Sequence, residues 1–193
     1  MDLRYIKEWI LDTSKYIILI IAVILIVMYV MSLQQVVGFS MEPTLKDGDV
    51  LLLSKMHYRF FDIKRNDVVA IKYDNSKYLI KRIIGLPGER VDYKNNILYI
   101  NDETFEENLY ENIQTKDFTF ENIMSLRKKT KDLKEIPDNM YLVLGDNRGD
   151  SSDSRQIGLI EKKDIIGKTL VKIWPLNDLK LIKIKIAKEK KYE

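Results

Sequence analysis

Apolar and polar positions divide this 193-residue chain into stretches of different periodicity. Tyr16 to Leu33 carry no charge and are overwhelmingly aliphatic, and Ile17 to Val30 offer no polar face to water. Eighteen residues at about 1.5 Å rise reach roughly 27 Å, so a single transmembrane helix is expected over 16–33 in preference to a buried core helix. From Asp47 the pattern becomes short runs rich in Val, Ile, Leu and Tyr. Val50 to Ser54, Asp67 to Tyr73, Lys77 to Ile84, Arg90 to Tyr93, Ile97 to Ile100 and Met140 to Leu144 read as strands. Asp47-Gly48, Asn75-Ser76, Pro87-Gly88 and Asn95-Asn96 supply the turn signals between them. That spacing predicts a mostly β domain, a barrel or sandwich.

Residues 102–137 interrupt this rhythm with dense charge and scattered aromatics. A helix over Asn122 to Ile136 would turn Ile123, Leu126, Leu133 and Ile136 inward. Gly158 to Gly167 reads as a turn and a short helical piece, and Lys168 to Trp174 as a last core strand closed by Pro175. Ile182, Ile184 and Ile186 then alternate with Lys183 and Lys185. This is either an edge strand with lysines facing water or a basic tail on anionic headgroups. The resulting division is an N-terminal segment 1–15, an anchor 16–33, a β domain 34–176 and a basic tail 177–193.

Composition narrows the classes. A chain of this length with 46% hydrophobic residues can bury one good core, and a net charge of +3 is too small for a nucleic-acid protein. The absence of cysteine excludes a thiolate mechanism and a disulfide framework. The only alanines are Ala22, Ala70 and Ala187, so no small-x-small cleavage site follows the span, which should remain as an anchor. Arg4, Lys7 and Lys15 precede it, while Lys46 alone follows within twenty residues of Leu33, which predicts a cytoplasmic N-terminus.

Candidate chemistry begins just beyond the span, at Gly38-Phe39-Ser40-Met41-Glu42-Pro43-Thr44-Leu45. A serine hydroxyl needs a base to become a nucleophile, and His57 is the one histidine in the chain. Lysine, a carboxylate or that histidine could serve, although His57 reads as a surface residue of a charged loop. Lys81, in Tyr78-Leu79-Ile80-Lys81-Arg82-Ile83-Ile84, is unusual because strand alternation sends Lys81 and Arg82 to opposite faces, each among aliphatics. One of the two is expected to be partly buried. Desolvation is the physical means of bringing a lysine from its ordinary pKa toward neutrality. A third stretch, Gly145-Asp146-Asn147-Arg148-Gly149-Asp150-Ser151-Ser152-Asp153-Ser154-Arg155, is dense in hydroxyls and opposed charges. Arg148 stands where a calcium loop needs a ligand, so no metal site is expected. Arg148-Gly149-Asp150 as an adhesion motif and Ser125-Leu126-Arg127-Lys128 as a penicillin-binding motif are taken as coincidences.

These three stretches, in this order behind an N-terminal span, resemble the bacterial type I signal peptidases, in particular the short single-span form typical of Gram-positive bacteria. The resemblance implies a catalytic core of coiled antiparallel sheets with a variable insertion, here about 102–137, away from the chemistry. It implies a serine endopeptidase without cofactor that removes signal peptides on the outer face of the cytoplasmic membrane. Ser40 would be the nucleophile and Lys81 the general base. Ser151 would orient Lys81, and Asp153, Asp146, Arg82, Arg148 and Arg155 would fix the loop carrying Ser151, Asp153 foremost. One oxyanion donor would be the Ser40 N–H. Gly38 stands where some members have a second donor, so its backbone or a water is expected there. Phe39, Met41 and Leu45 rest against lipid or line shallow subsites. Implied partners are signal-peptide-bearing preproteins, membrane lipids and the export machinery. A self-cleaving Ser-Lys repressor would need a DNA-binding head in place of the span. A non-enzymatic anchored binding module would leave the buried lysine unexplained.

Overall fold

The computed structural model describes residues 3–74, 78–107, 114–126, 128 and 130–182. Helix α1 (Leu3–Val30) contains no proline or glycine. Its segment Trp9–Val30 has a mean hydropathy of 2.4 and no buried residue, and it is long and apolar enough to cross a membrane. The helix stops at Val30, short of the expected Leu33, because Met31–Gln35 form strand β1 and pair with β2 (Val50–Ser54) from Met31↔Ser54 to Gln35↔Val50. No linker separates helix from sheet.

The chain continues through α2 (His57–Phe60), β3 (Val68–Lys72), β4 (Tyr78–Gly85), β5 (Val91–Lys94), β6 (Ile97–Ile100), β7 (Glu103–Phe105), α3 (Phe120–Ser125), β8 (Met140–Leu144), α4 (Ser154–Ile157), β9 (Ile160–Glu161), β10 (Ile165–Trp174) and β11 (Lys180–Leu181). The larger sheet has the order β1-β2-β10-β3-β4-β8-β9, with β11 added to β10. Antiparallel pairing throughout and register shifts along β10 let that strand serve both β2 and β3 while the sheet bends. β5, β6 and β7 form a separate small sheet, whose first hairpin turns through Asn95 and Asn96, both in the left-handed region. The fold is therefore mostly β behind an apolar helix.

Three clusters fill the core. Val36, Met41, Leu45, Leu51, Leu53, Val68, Ala70 and Ile80 surround the start of the domain. Ile63, Val69, Ile71, Ile83, Tyr141, Val143, Ile160 and Ile165 form a second group. The third joins Leu142 and Leu144 of β8 to Val91, Tyr93, Leu98, Phe118, Phe120, Ile123 and Ile136. The charged stretch 102–137 is thus built into the core by its few apolar residues. Its helix is shorter than expected: α3 is opened by a capping box between Thr119 and Asn122 and ends at Ser125. Of the four residues expected inward, Ile123 and Ile136 are buried while Leu126 and Leu133 are exposed. Too narrow an apolar stripe remains to hold a longer helix against the sheet. The Asn75-Ser76 turn, Arg127 and the alternating tail beyond Ile182 lie outside the described residues.

Candidate active site

Strand β4 lies between β3 and β8, so its burial is two-sided. Lys81 and Arg82 are respectively 2% and 3% exposed, which corrects the expectation that only one would be partly buried. Lys81 Nζ lies 2.7 Å from Ser40 Oγ, its one hydrogen bond among the described residues. Burial pushes the ammonium down, the Asp153 and Asp146 carboxylates pull it up, and Arg155 pushes it down again. The balance leaves Lys81 at about 8, against an ordinary 10.5.

Ser40 is held by the segment that leads from β1 to β2. The ends of that segment are tied by Val36 N–H to Asp49 C=O at 2.8 Å and Gly48 N–H to Val36 C=O at 3.0 Å. Met41 and Leu45 are fully buried and anchor the turn from within, so they line neither lipid nor subsite, whereas Phe39 is exposed. The Ser40 carbonyl accepts the Asn147 N–H at 3.0 Å, and Asn147 Nδ2 donates to the Phe39 carbonyl at 3.3 Å. Asn147 thereby fastens the Ser40 backbone to the Gly145–Arg155 loop. The sequence reading assigns Asn147 no role, since no local pattern marks an amide that bridges two loops.

Gly145 opens that loop without a side chain because a Cβ there would collide with the Ser151 hydroxyl and the Ser40 carbonyl. Its N–H donates to Asp153 Oδ2 at 3.0 Å, and its carbonyl accepts Arg148 Nε at 3.0 Å. Asp153 is completely buried and takes Arg155 Nε at 2.8 Å and Nη2 at 2.7 Å. Burial works against this carboxylate, but the Arg155 hydrogen bonds and charge and the Gly145 N–H outweigh it and hold the group below the usual range. Arg155 Nη1 also donates to the Arg148 carbonyl at 2.7 Å. On the other side of β4, Arg82 Nε meets Asp146 Oδ1 at 2.7 Å, and Thr44 also bonds to that carboxylate. This second pair ties the segment after Ser40 to the start of the loop.

Arg148 is 4% exposed and needs an anion. It finds Glu107, with Nη1 to Oε2 at 2.9 Å, and Thr115 Oγ1 at 3.3 Å. Tyr93 donates to the same Glu107 oxygen at 3.0 Å. The stretch read as an insertion away from the chemistry therefore clamps the loop that borders Ser40. A buried arginine predicts a carboxylate partner, but several acids compete for the role in that stretch and sequence alone does not single out Glu107.

Two expected contacts are absent. Ser151 is buried, and its hydroxyl bears on the Asp153 carboxylate rather than on Lys81 Nζ, so it does not orient Lys81 directly in this structure. Gly38 adopts φ +86° and its N–H donates to Asp47 Oδ1 at 2.7 Å, so that group is occupied rather than free to meet an oxyanion. The Ser40 N–H makes no hydrogen bond among the described residues. His57 lies in α2 with its ring stacked on Phe61 at 5.0 Å, and no hydrogen bond links it to Ser40. The assembly is a serine hydroxyl, a buried amine whose neutral form is accessible near physiological pH, and a loop stapled around both. Such a set can attack a carbonyl and shuttle one proton.

The family model described as "Signal peptidase, peptidase S26" matches residues 6–174. A signal peptidase IB of Staphylococcus aureus (strain COL) is 33% identical over 183 residues, covering 92% of this chain and 94% of that protein. A signal peptidase I of Bacillus caldolyticus is 36% identical over 156 residues, covering 77% and 82%. A solved signal peptidase I from Enterococcus faecalis V583 shares 36% identity with a TM-score of 0.46, and covers 56% of this chain and 97% of its own.

Proposed function

The chain belongs to the S26 signal peptidases, membrane-bound serine endopeptidases that remove signal peptides, and from that premise we propose that Ser40 is its nucleophile and Lys81 its general base. The observation that carries the assignment is the 2.7 Å contact between Ser40 Oγ and a lysine that is 2% exposed. With Lys81 charged, Nζ donates to Oγ. Once the amine is neutral the contact reverses, and the hydroxyl donates its proton to the nitrogen lone pair.

The reaction is acyl transfer. Ser40 Oγ bonds to the scissile carbonyl carbon as Lys81 Nζ takes the hydroxyl proton, and the oxyanion that forms meets the Ser40 N–H. The ammonium then protonates the amine of the departing mature chain as the C–N bond breaks. Water attacks the acyl-enzyme, giving its proton to Lys81. Collapse returns that proton to Ser40 Oγ and releases the signal peptide carboxylate. The Asp153 and Asp146 carboxylates stabilise the charged intermediate state of the amine, at the expense of a somewhat higher Lys81 pKa.

Substrates are preproteins with small residues at the cleavage site, entering extended along the edge strand β1 that leads to Ser40. The helix α1 anchors the enzyme, with the N-terminus cytoplasmic and the β domain on the outer face of the membrane. Cleavage of a labelled preprotein by the detergent-solubilised chain tests the assignment, because Ser40→Ala and Lys81→Ala should each abolish it. Full activity in either variant would remove that residue from the mechanism. Protease added outside right-side-out vesicles should degrade the β domain, and protection there would reverse the orientation.

A further inference from the structure

Lys55, immediately after β2, is tied to the end of α1 twice. Its N–H donates to the Val30 carbonyl at 2.9 Å and its Nζ to the Met28 carbonyl at 3.2 Å. It thereby satisfies carbonyls that the helix end leaves open. The residues that follow are consequently positioned at the level where the apolar helix stops. They are Met56, then α2, then Phe61 to Arg65. Within them Tyr58 faces inward: it packs against the core and its hydroxyl donates to the buried Asp67 at 3.0 Å. That anchor turns the other aromatics out. Phe60 is 75% exposed and Phe61 is 62% exposed, with the His57 ring stacked on Phe61.

Two adjacent, largely exposed phenylalanines on a docked turn are unusual on a surface that meets only water. Their neighbours are basic. Lys55, Arg59 and Lys64 are exposed and form no ion pair among the described residues, against the single exposed acid Asp62. Aromatic side chains flanked by Lys and Arg are the composition that settles at the boundary between acyl chains and headgroups.

We propose that α2 and Phe61 form a second membrane contact, in which Phe60 and Phe61 insert at the headgroup boundary and Lys55, Arg59 and Lys64 meet anionic lipid phosphates. Continuity with α1 selects lipid as the occupant, because the same surface begins at the last turn of the helix. This contact fixes the tilt of the directly joined helix and β domain against the bilayer, which a single span leaves open. It rests on α1 crossing the membrane, so its test must report on both.

The chain has no cysteine, so a thiol introduced at one position is unique. Phe60→Cys, Phe61→Cys, Ile20→Cys and Asp102→Cys would each carry a nitroxide in the full chain, reconstituted into vesicles of phosphatidylcholine with or without phosphatidylglycerol. Power saturation would then compare oxygen with a water-soluble nickel chelate. The label at Ile20 should be deep, that at Asp102 aqueous, and those at Phe60 and Phe61 between them, moving deeper when phosphatidylglycerol is present. A Phe60 label as open to nickel as the Asp102 label, beside a deep Ile20 label, overturns this inference and leaves the span intact. An aqueous Ile20 label overturns the span. Equal depth in both lipid mixtures overturns the role of the basic residues, and spin–spin broadening at Phe60 in dilute vesicles would assign the face to a second copy of the chain.

Discussion

Bringing Lys81 from 10.5 to about 8 changes two measurable quantities at once. At pH 7 a lysine at its ordinary value is neutral in roughly one molecule in 3,000, whereas at about 8 it is neutral in about one in ten, a gain of roughly 300-fold in competent base. The same shift costs roughly 3 kcal/mol of stability wherever the native state must hold the amine charged while the unfolded state holds it charged in water. The sign follows from proton counts. Between about pH 8 and 10.5 the unfolded chain binds a proton at this position that the native chain has released, so stability rises with pH across that window and is independent of this group below it. Two assays should agree. The acidic limb of kcat/KM for a signal-peptide substrate should have its midpoint near 8. Denaturant unfolding should find Lys81→Met more stable than the parent at pH 7 by up to about 3 kcal/mol, an advantage that disappears toward pH 10.5. The difference between parent and variant cancels every other titrating group. A limb with its midpoint at 10 or above, or a stability difference that does not change between pH 7 and 10.5, would refute the reasoning.

Three further outcomes follow from the same geometry. Asp146→Ala removes the carboxylate that balances the charge of the buried Arg82 and should lower unfolding stability by about 3–5 kcal/mol, whereas a surface control such as Lys163→Ala should shift it little. Glu107→Gln keeps the shape of the Arg148 clamp but removes its charge, so it should cost about 2 kcal/mol in denaturant unfolding and lower kcat on a preprotein while KM changes less. Gly145→Ala places a methyl group against the Ser151 hydroxyl and the Ser40 carbonyl, and should depress cleavage below a tenth of the parent even where circular dichroism shows a folded chain.

The strands were legible because alternation and turn chemistry agree locally. Ile97–Ile100 and Met140–Leu144 begin and end where the pattern places them, and the Asn95-Asn96 turn is built from residues that tolerate a left-handed backbone. The juxtaposition of Ser40 and Lys81 was legible for a different reason. Few residue types in this chain could activate a serine, and the ordered motifs pointed to one of them. What escaped depends on neighbours that periodicity cannot count. Alternation gives a strand two faces but does not reveal that β4 has partners on both edges and cover on both sides, which is why Arg82 is as buried as Lys81. Met41 and Leu45 looked like candidates for lipid or subsite because they flank the serine, but the turn needs apolar anchors to stay closed, and it uses them. The Asp47 carboxylate that captures the Gly38 N–H, and Glu107 across the loop, belong to polar pairings over long sequence separations. Such partners are fixed by the assembled fold and leave no local trace.

The direct passage from Val30 into Met31 has a mechanical meaning. A flexible tether would let a catalytic domain sample many heights above its anchor, and the bond it cut would be whichever one diffused into reach. Here the backbone that leaves the helix is already a strand of the sheet that carries the site, and Ser40 follows that strand by a short segment pinned at both ends. With α1 seated in the bilayer, the serine stands at one elevation. Under the proposed anchoring by α1 and the proposed role of Ser40, the expected consequence is a gauge: the distance along a preprotein from the end of its own apolar segment to the severed bond should change with the length and tilt of α1, and not with the side chains at the cut alone.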